Sequence, residues 1–162
     1  MVQGIVLGGF MGTGKSTVGR VLAQHTGWPW VDTDERLEAT FGPCGEQFQH
    51  VGETVFRDRE HEVLRQVLES LPAVISTGGG VWPAPRNRHL IEQAPVFGVV
   101  LTASWDEIVK RVGGGANRPL FDHNAQALHR RRAASYRRAD LCVDTTDRSP
   151  EDVAQEILQC LP

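Results

Sequence analysis

Residues 9–16 constrain the fold of this chain more than any other segment. They read Gly9-Phe10-Met11-Gly12-Thr13-Gly14-Lys15-Ser16, the full pattern G-x-x-x-x-G-K-[ST]. The apolar run Ile5-Val6-Leu7 precedes them, and residues 15–26 follow with Val18, Val21 and Leu22 on one helical face. This strand–loop–helix unit is built to hold phosphate. Glycines let backbone N–H groups curl around anionic oxygens where a side chain would clash, and the helix points its positive end at the same place. Gly12, Thr13 and Gly14 form the cradle. Lys15 reaches the β- and γ-phosphates as a mobile charge, Ser16 offers a hydroxyl to Mg2+, and Thr17 reaches the α-phosphate. Of the 17 basic residues, 15 are Arg and two are Lys. A lysine kept in such a chain is one that the position requires as lysine.

The motif specifies a nucleoside triphosphate without choosing among kinase, GTPase and motor ATPase. No N-K-x-D segment and no D-x-x-G switch after a strand is present, which disfavours a Ras-like GTPase. At 162 residues, the chain is short for a motor ATPase and fits one domain. The other strand candidates are Trp30-Val31, residues 73–76, residues 96–101 and residues 141–143. Their unbroken apolar character suits strands covered on both faces. Helical patterns lie between them. Residues 53–71 repeat Val63, Leu64, Val67, Leu68 and Leu71. Ser104 with Glu107 forms a capping-box pattern, and Ser149-Pro150 opens a last helix. The alternation predicts an α/β fold: a three-layer αβα arrangement around a five-stranded parallel sheet, with ligands at the carboxyl ends of the strands.

Composition narrows the partners. A net charge of −3 and a pI near 6.1 argue against a general nucleic-acid or anionic-membrane binder. No apolar stretch approaches the roughly 18 residues a membrane span needs. Residues 1–10 lack the basic start of a secretory signal, so a cytoplasmic location is expected. Cys44, Cys142 and Cys160 are scattered, which argues against a disulfide framework or a zinc site.

Several segments point to a second substrate. Asp32 and Asp34 stand at i and i+2 at the end of the second strand, where an extended segment would put both on one face. They can order Mg2+ waters and orient an acceptor hydroxyl, or serve as an acidic helix start with Asp34 as the cap. On a helix, Glu53 and Glu60 flank Arg57 at i−4 and i+3. They can hold its guanidinium to read a carboxylate, or form a solvated face of charge pairs. Gly78-Gly79-Gly80 ends the third strand, either as a close-approach surface for a ligand or as a plain turn. Residues 113–126, rich in glycine and carrying Arg118, break the core-forming pattern and read as a surface loop or a lid. The arginines from Arg130 to Arg138 read better as one inward side chain and several solvated ones, with Asp140 and Glu151 as neutralising partners, than as a nucleic-acid patch. The segment Trp82-Pro83-Ala84-Pro85 suggests no function.

In combination and order, these segments resemble the shikimate kinases, a family within the nucleoside-monophosphate-kinase-like P-loop group. The resemblance rests on the phosphate loop, Asp32-Thr33-Asp34, Gly52-Glu53 with Phe56-Arg57 and Glu60, and Gly78-Gly79-Gly80. It continues through Asn117-Arg118-Pro119-Leu120, Arg132 four residues before Tyr136, Ala139-Asp140 and Asp147-Arg148-Ser149-Pro150. It implies ATP-dependent phosphorylation of the shikimate 3-hydroxyl in aromatic amino-acid biosynthesis, with Mg2+ and by a monomer. Lys15 and Arg118 would stabilise the transferring group. Ser16 and Asp32 would hold Mg2+, and Asp34 would bind the acceptor hydroxyl as its base. Arg57 and Arg132 would clamp the carboxylate, and Gly79 would contact another hydroxyl. Met11, Phe48 and Phe56 would form apolar walls. Arg111 and the Arg148–Pro150 loop would border the adenine. Segment 33–61 would bind the acceptor and segment 113–124 would close as a lid. Two other readings stay open: a related small kinase such as a gluconate kinase, and a nucleotide-binding regulator without chemistry.

Overall fold

The computed structural model describes residues 1–113 and 124–162. Five strands, β1 (Gly4–Gly9), β2 (Trp30–Asp32), β3 (Ala73–Ser76), β4 (Val96–Thr102) and β5 (Leu141–Asp144), pair in parallel in the order β2-β3-β1-β4-β5. The helices among the described residues are α1 (Lys15–Thr26), α2 (Thr33–Phe41), α3 (Cys44–Leu68), α4 (Pro85–Gln93), α5 (Trp105–Val112), α6 (Ala125–Tyr136) and α7 (Pro150–Gln159).

The inner strands β1, β3 and β4 work as expected, with successive side chains feeding two separate cores, whereas the edge strands are less covered: β2 is half-buried and β5 leaves Cys142 exposed. Ile5, Leu7, Val74, Val99, Leu101 and Val143 pack against Val18 and Leu22 of α1 and against Val153 and Ile157 of α7. Val6, Ile75 and Val100 face the opposite layer, with Phe56, Leu64 and Val67 of α3, Ile91 of α4 and Ile108 of α5. The result is a three-layer αβα sandwich. Strand β1 is central, with β3 and β4 on either side. The strand order reverses there, which opens a crevice at the carboxyl end of β1. The phosphate loop leaves β1 into that crevice, and the triple glycine leaves β3 beside it.

The helix signals are partly realised. Ser104 accepts from Glu107 N at 3.2 Å, as a cap should. The box is not closed, because the Glu107 carboxylate accepts from Arg111 Nε at 2.9 Å, while Ser104 N donates to Thr146. Ser149 caps α7 through Asp152 N, with Pro150 at the first helical position. The helix expected over 53–71 begins earlier and ends sooner. It runs from Cys44, whose N–H donates to the Glu38 carboxylate, and stops at Leu68 ahead of Pro72. It bends at Gly52, whose φ of 79° suits only glycine.

Trp82, which suggested nothing in the sequence, turns out to be a packing anchor. It is 2% exposed, and its ring lies across β1 and β4 at two glycines. A Cβ on either Gly8 or Gly98 would come within 2.8 Å of that ring. The Arg88 guanidinium donates to the carbonyls of Trp82 and Pro83 at 2.9 and 2.8 Å, fastening α4 beneath the loop.

Candidate active site

The phosphate loop has the backbone that its sequence demands. Gly14 caps α1 at φ 100°, in the left-handed region. Thr13 is buried; its hydroxyl donates to Phe10 O at 2.7 Å, and its own carbonyl accepts from the Thr145 hydroxyl at 2.9 Å. Lys15 Nζ donates to Gly9 O and Phe10 O at 2.7 and 2.9 Å, which holds the ammonium at the mouth of the loop. Gly12, Gly14, Lys15, Ser16 and Thr17 line a cleft of about 590 Å³ together with Asp32, Asp34 and Gly79.

The two aspartates do not share an extended segment. Asp32 ends β2, and Asp34 already lies in the first turn of α2. The cap of that helix is Asp32, not Asp34: its Oδ1 accepts from Asp34 N at 2.8 Å and from Glu35 N at 3.2 Å. The other oxygen of Asp32 accepts from Ser16 Oγ at 3.1 Å. One carboxylate therefore closes a helix and meets the phosphate loop. An all-oxygen pair at this place has the chemistry that hard divalent cations take. Asp34 is turned the other way, against the triple glycine, where a Cβ on Gly78 would lie 2.6 Å from its Oδ1. Burial, then the charges of Asp32 and Glu60, raise its pKa to about 6, while Lys15 pulls the other way.

A second cavity of about 320 Å³ adjoins the first and shares Met11, Asp34, Cys44 and Gly79 with it. Phe48 and Phe56, with ring centroids 4.5 Å apart, form its apolar wall, and Arg57 and Arg132 supply positive charge. Arg57 is held much as its spacing suggested. Glu60 is 2% exposed, and its oxygens accept from Arg57 Nη1 at 3.0 and 3.3 Å. Glu53 stands 3.6 Å from Nε, on the exposed side. The triple glycine is needed here: a Cβ on Gly80 would fall 2.0 Å from the Arg57 guanidinium. Burial raises the pKa of Glu60, and the nearby Arg57 opposes that shift.

Arg132 is the inward arginine of its run, while Arg130, Arg131, Arg137 and Arg138 are exposed. The neutralising partners expected for these arginines are engaged elsewhere. Asp140 accepts from Gly98 N at 2.7 Å, and Glu151 pairs with His25 at 2.7 Å. Arg111 and Arg148 line a third pocket of about 270 Å³ with Thr13, Gly14, Thr17 and Pro150. There Arg111 donates to Gly12 O, Thr145 Oγ1 and Thr145 O at 3.1, 3.0 and 2.7 Å, buttressing the loop. Arg118, and with it residues 114–123 of the expected lid, lies outside the described residues.

Sequence reading missed three participants. Cys44 lines both large cavities, and burial, with Asp34 next, raises its thiol pKa to about 12. Thr145 joins the phosphate loop to the end of β4. The Tyr136 hydroxyl donates to Gly79 O at 2.9 Å. Only the four-residue spacing of Arg132 and Tyr136 hinted at the last of these.

A parallel sheet of this order, with a phosphate loop at its switch point and an arginine-lined pocket next to it, defines an ATP-dependent P-loop kinase of small molecules. The family model for shikimate kinase matches residues 11–162. The shikimate kinase of Geobacter sulfurreducens is 42% identical over 161 residues, covering 96% of this chain and 88% of that protein. The structure of the Acinetobacter baumannii shikimate kinase in complex with shikimate superposes with a TM-score of 0.90 at 33% identity, covering 98% of this chain and 92% of that one. A gluconokinase from Sinorhizobium meliloti, at TM-score 0.65 and 21% identity over 97% of this chain and 90% of that one, shares the fold alone. The chain belongs to the shikimate kinase family.

Proposed function

We propose that this protein transfers the γ-phosphoryl group of ATP to the 3-hydroxyl of shikimate, giving shikimate 3-phosphate and ADP. The observation that carries this reading is the position of Asp34. It stands on the wall shared by the phosphate cleft and a pocket lined by Arg57 and Arg132. An acceptor whose carboxylate meets the two guanidinium groups presents a ring hydroxyl to Asp34, at the edge of the phosphate cleft. The hydroxyl oxygen then bonds to the γ-phosphorus as the bond to the β–γ bridging oxygen breaks. The hydroxyl proton passes to Asp34.

In this reading Gly12, Thr13, Gly14, Ser16 and Thr17 bind the triphosphate, while Lys15 and Arg118 offset charge on the transferring group. Gly79 contacts a further acceptor hydroxyl, and Arg111 and Arg148 border the base. Ser16 and Asp32 would hold Mg2+, which when bound spreads charge away from the phosphate oxygens. Segment 33–61 binds the acceptor, and 113–124 closes over both substrates. A cytoplasmic monomer belongs to the same proposal. The described thiols are free, as a reducing compartment keeps them. Among the described residues no helix is long and apolar enough to cross a membrane. The test is ADP release coupled to a panel of hydroxy acids that includes gluconate. Turnover with shikimate alone is expected; turnover with gluconate in preference to shikimate overturns the reading.

A further inference from the structure

The two arginines of the acceptor pocket are held by opposite means. Arg57 is gripped by carboxylates, Glu60 at 3.0 Å and Glu53 at 3.6 Å, so most of its charge is already answered. Among the described residues no carboxylate lies within ion-pair distance of Arg132. Its side chain is bounded by the Phe10 ring, 5.9 Å from the guanidinium carbon, and by Tyr136 one helical turn on. The Tyr136 hydroxyl donates to Gly79 O at 2.9 Å. Gly79 in turn lies under Arg132, with 3.2 Å between the place of a Cβ and Nη1.

We infer that Tyr136 is a positioning residue for the acceptor: it locks the Gly79 backbone against which Arg132 lies, and so places the guanidinium without neutralising it. A carboxylate in its place would orient Arg132 equally well but would cancel the charge that the substrate anion must meet. A buried phenol orients and stays neutral. Tyr136 is 5% exposed, and burial pushes its pKa up to about 12, so it remains a proton donor to Gly79 throughout the working range. The two arginines thereby divide the work. Arg57, prepaired with Glu60, supplies shape, and Arg132 supplies the net positive charge.

This inference rests on the shikimate reading above. Its test is a double-mutant cycle of Tyr136→Phe and Arg132→Lys, with KM for shikimate and for ATP, kcat and melting temperature measured for each protein. Loss of the hydrogen bond to Gly79 O predicts that Tyr136→Phe raises the shikimate KM up to about tenfold, with the ATP KM, kcat and melting temperature close to wild type. In the Arg132→Lys background the same change should do almost nothing, because its effect runs through the guanidinium. An unchanged shikimate KM, an equal rise in both KM values, or a full penalty in the Arg132→Lys background overturns the assignment. A wild-type protein that turns over no shikimate overturns the substrate reading and this inference with it.

Discussion

At the scale of single residues, Asp34 combines burial with a functional position. Its pKa of about 6 lies well above that of an unfolded aspartate, near 3.9. Below about pH 4 both states carry the proton, so the site costs nothing. Between about 4 and 6 the unfolded chain releases its proton first, and stability falls as pH rises through that window. In metal-free protein, Asp34→Asn removes this penalty. We expect the variant to be the more stable at pH 8, by on the order of 2 kcal/mol, and to match wild type below pH 4, as read by thermal melts in EDTA. Turnover of that variant should fall by at least about a hundredfold if Asp34 is the base. Unchanged turnover with weaker shikimate binding would assign it to positioning. Gly80→Ala probes the neighbouring arginine. The added methyl group occupies the place of the Arg57 guanidinium, whose flexible end must then leave Glu60. The expected result is a folded protein whose shikimate KM rises about tenfold or more, with the ATP KM little changed.

At the scale of elements, local signals worked where the chain's own chemistry decided the outcome. The helix from Lys15 to Thr26 ends at Gly27, at φ 73°, and its bounds match the pattern read from sequence. Strand β3 likewise spans the residues 73–76 read as a strand. The misses came where a second nearby side chain competed for the same group. Glu38 capped α3 early, Arg111 drew Glu107 out of its box, and Asp32 took the cap assigned to Asp34. All three partners lie within six residues in sequence, but the pattern alone does not say which of several nearby acceptors and donors will pair. The Trp82 loop differs, because its meaning depends on two glycines in different strands. Gly98→Ala should cost about 1–3 kcal/mol by overpacking, measured by urea unfolding. Combined with Trp82→Leu, its penalty should shrink, since the contact it disturbs is then gone.

At the scale of the whole molecule, stability and chemistry are supplied by different parts. Two apolar cores, one on each face of the sheet, hold the fold, while the oxygen pair of Ser16 and Asp32 lies at its edge. Chelation with EDTA is therefore expected to stop turnover while leaving the circular dichroism spectrum and melting temperature unchanged; a large drop in melting temperature would contradict this. Saturation with ATP and Mg2+ should raise stability by about 2.7 kcal/mol at a hundredfold excess over Kd.

By itself the sequence determined the class of fold and the phosphate site. Strand runs that need cover on both faces, and a glycine loop that needs a helix behind it, are requirements written within about twenty neighbouring residues. It also nominated the acceptor residues, and family order made the nomination specific. The tertiary structure decided what each of them does. Asp32 and Asp34 are two residues apart, yet one faces Ser16 and the other faces Gly78. Arg57 and Arg132 are alike in composition, yet one is paired with a buried glutamate and the other leans on a tyrosine. Charge compensation and burial depend on distances between elements far apart in the chain, and only the packed sheet sets those distances.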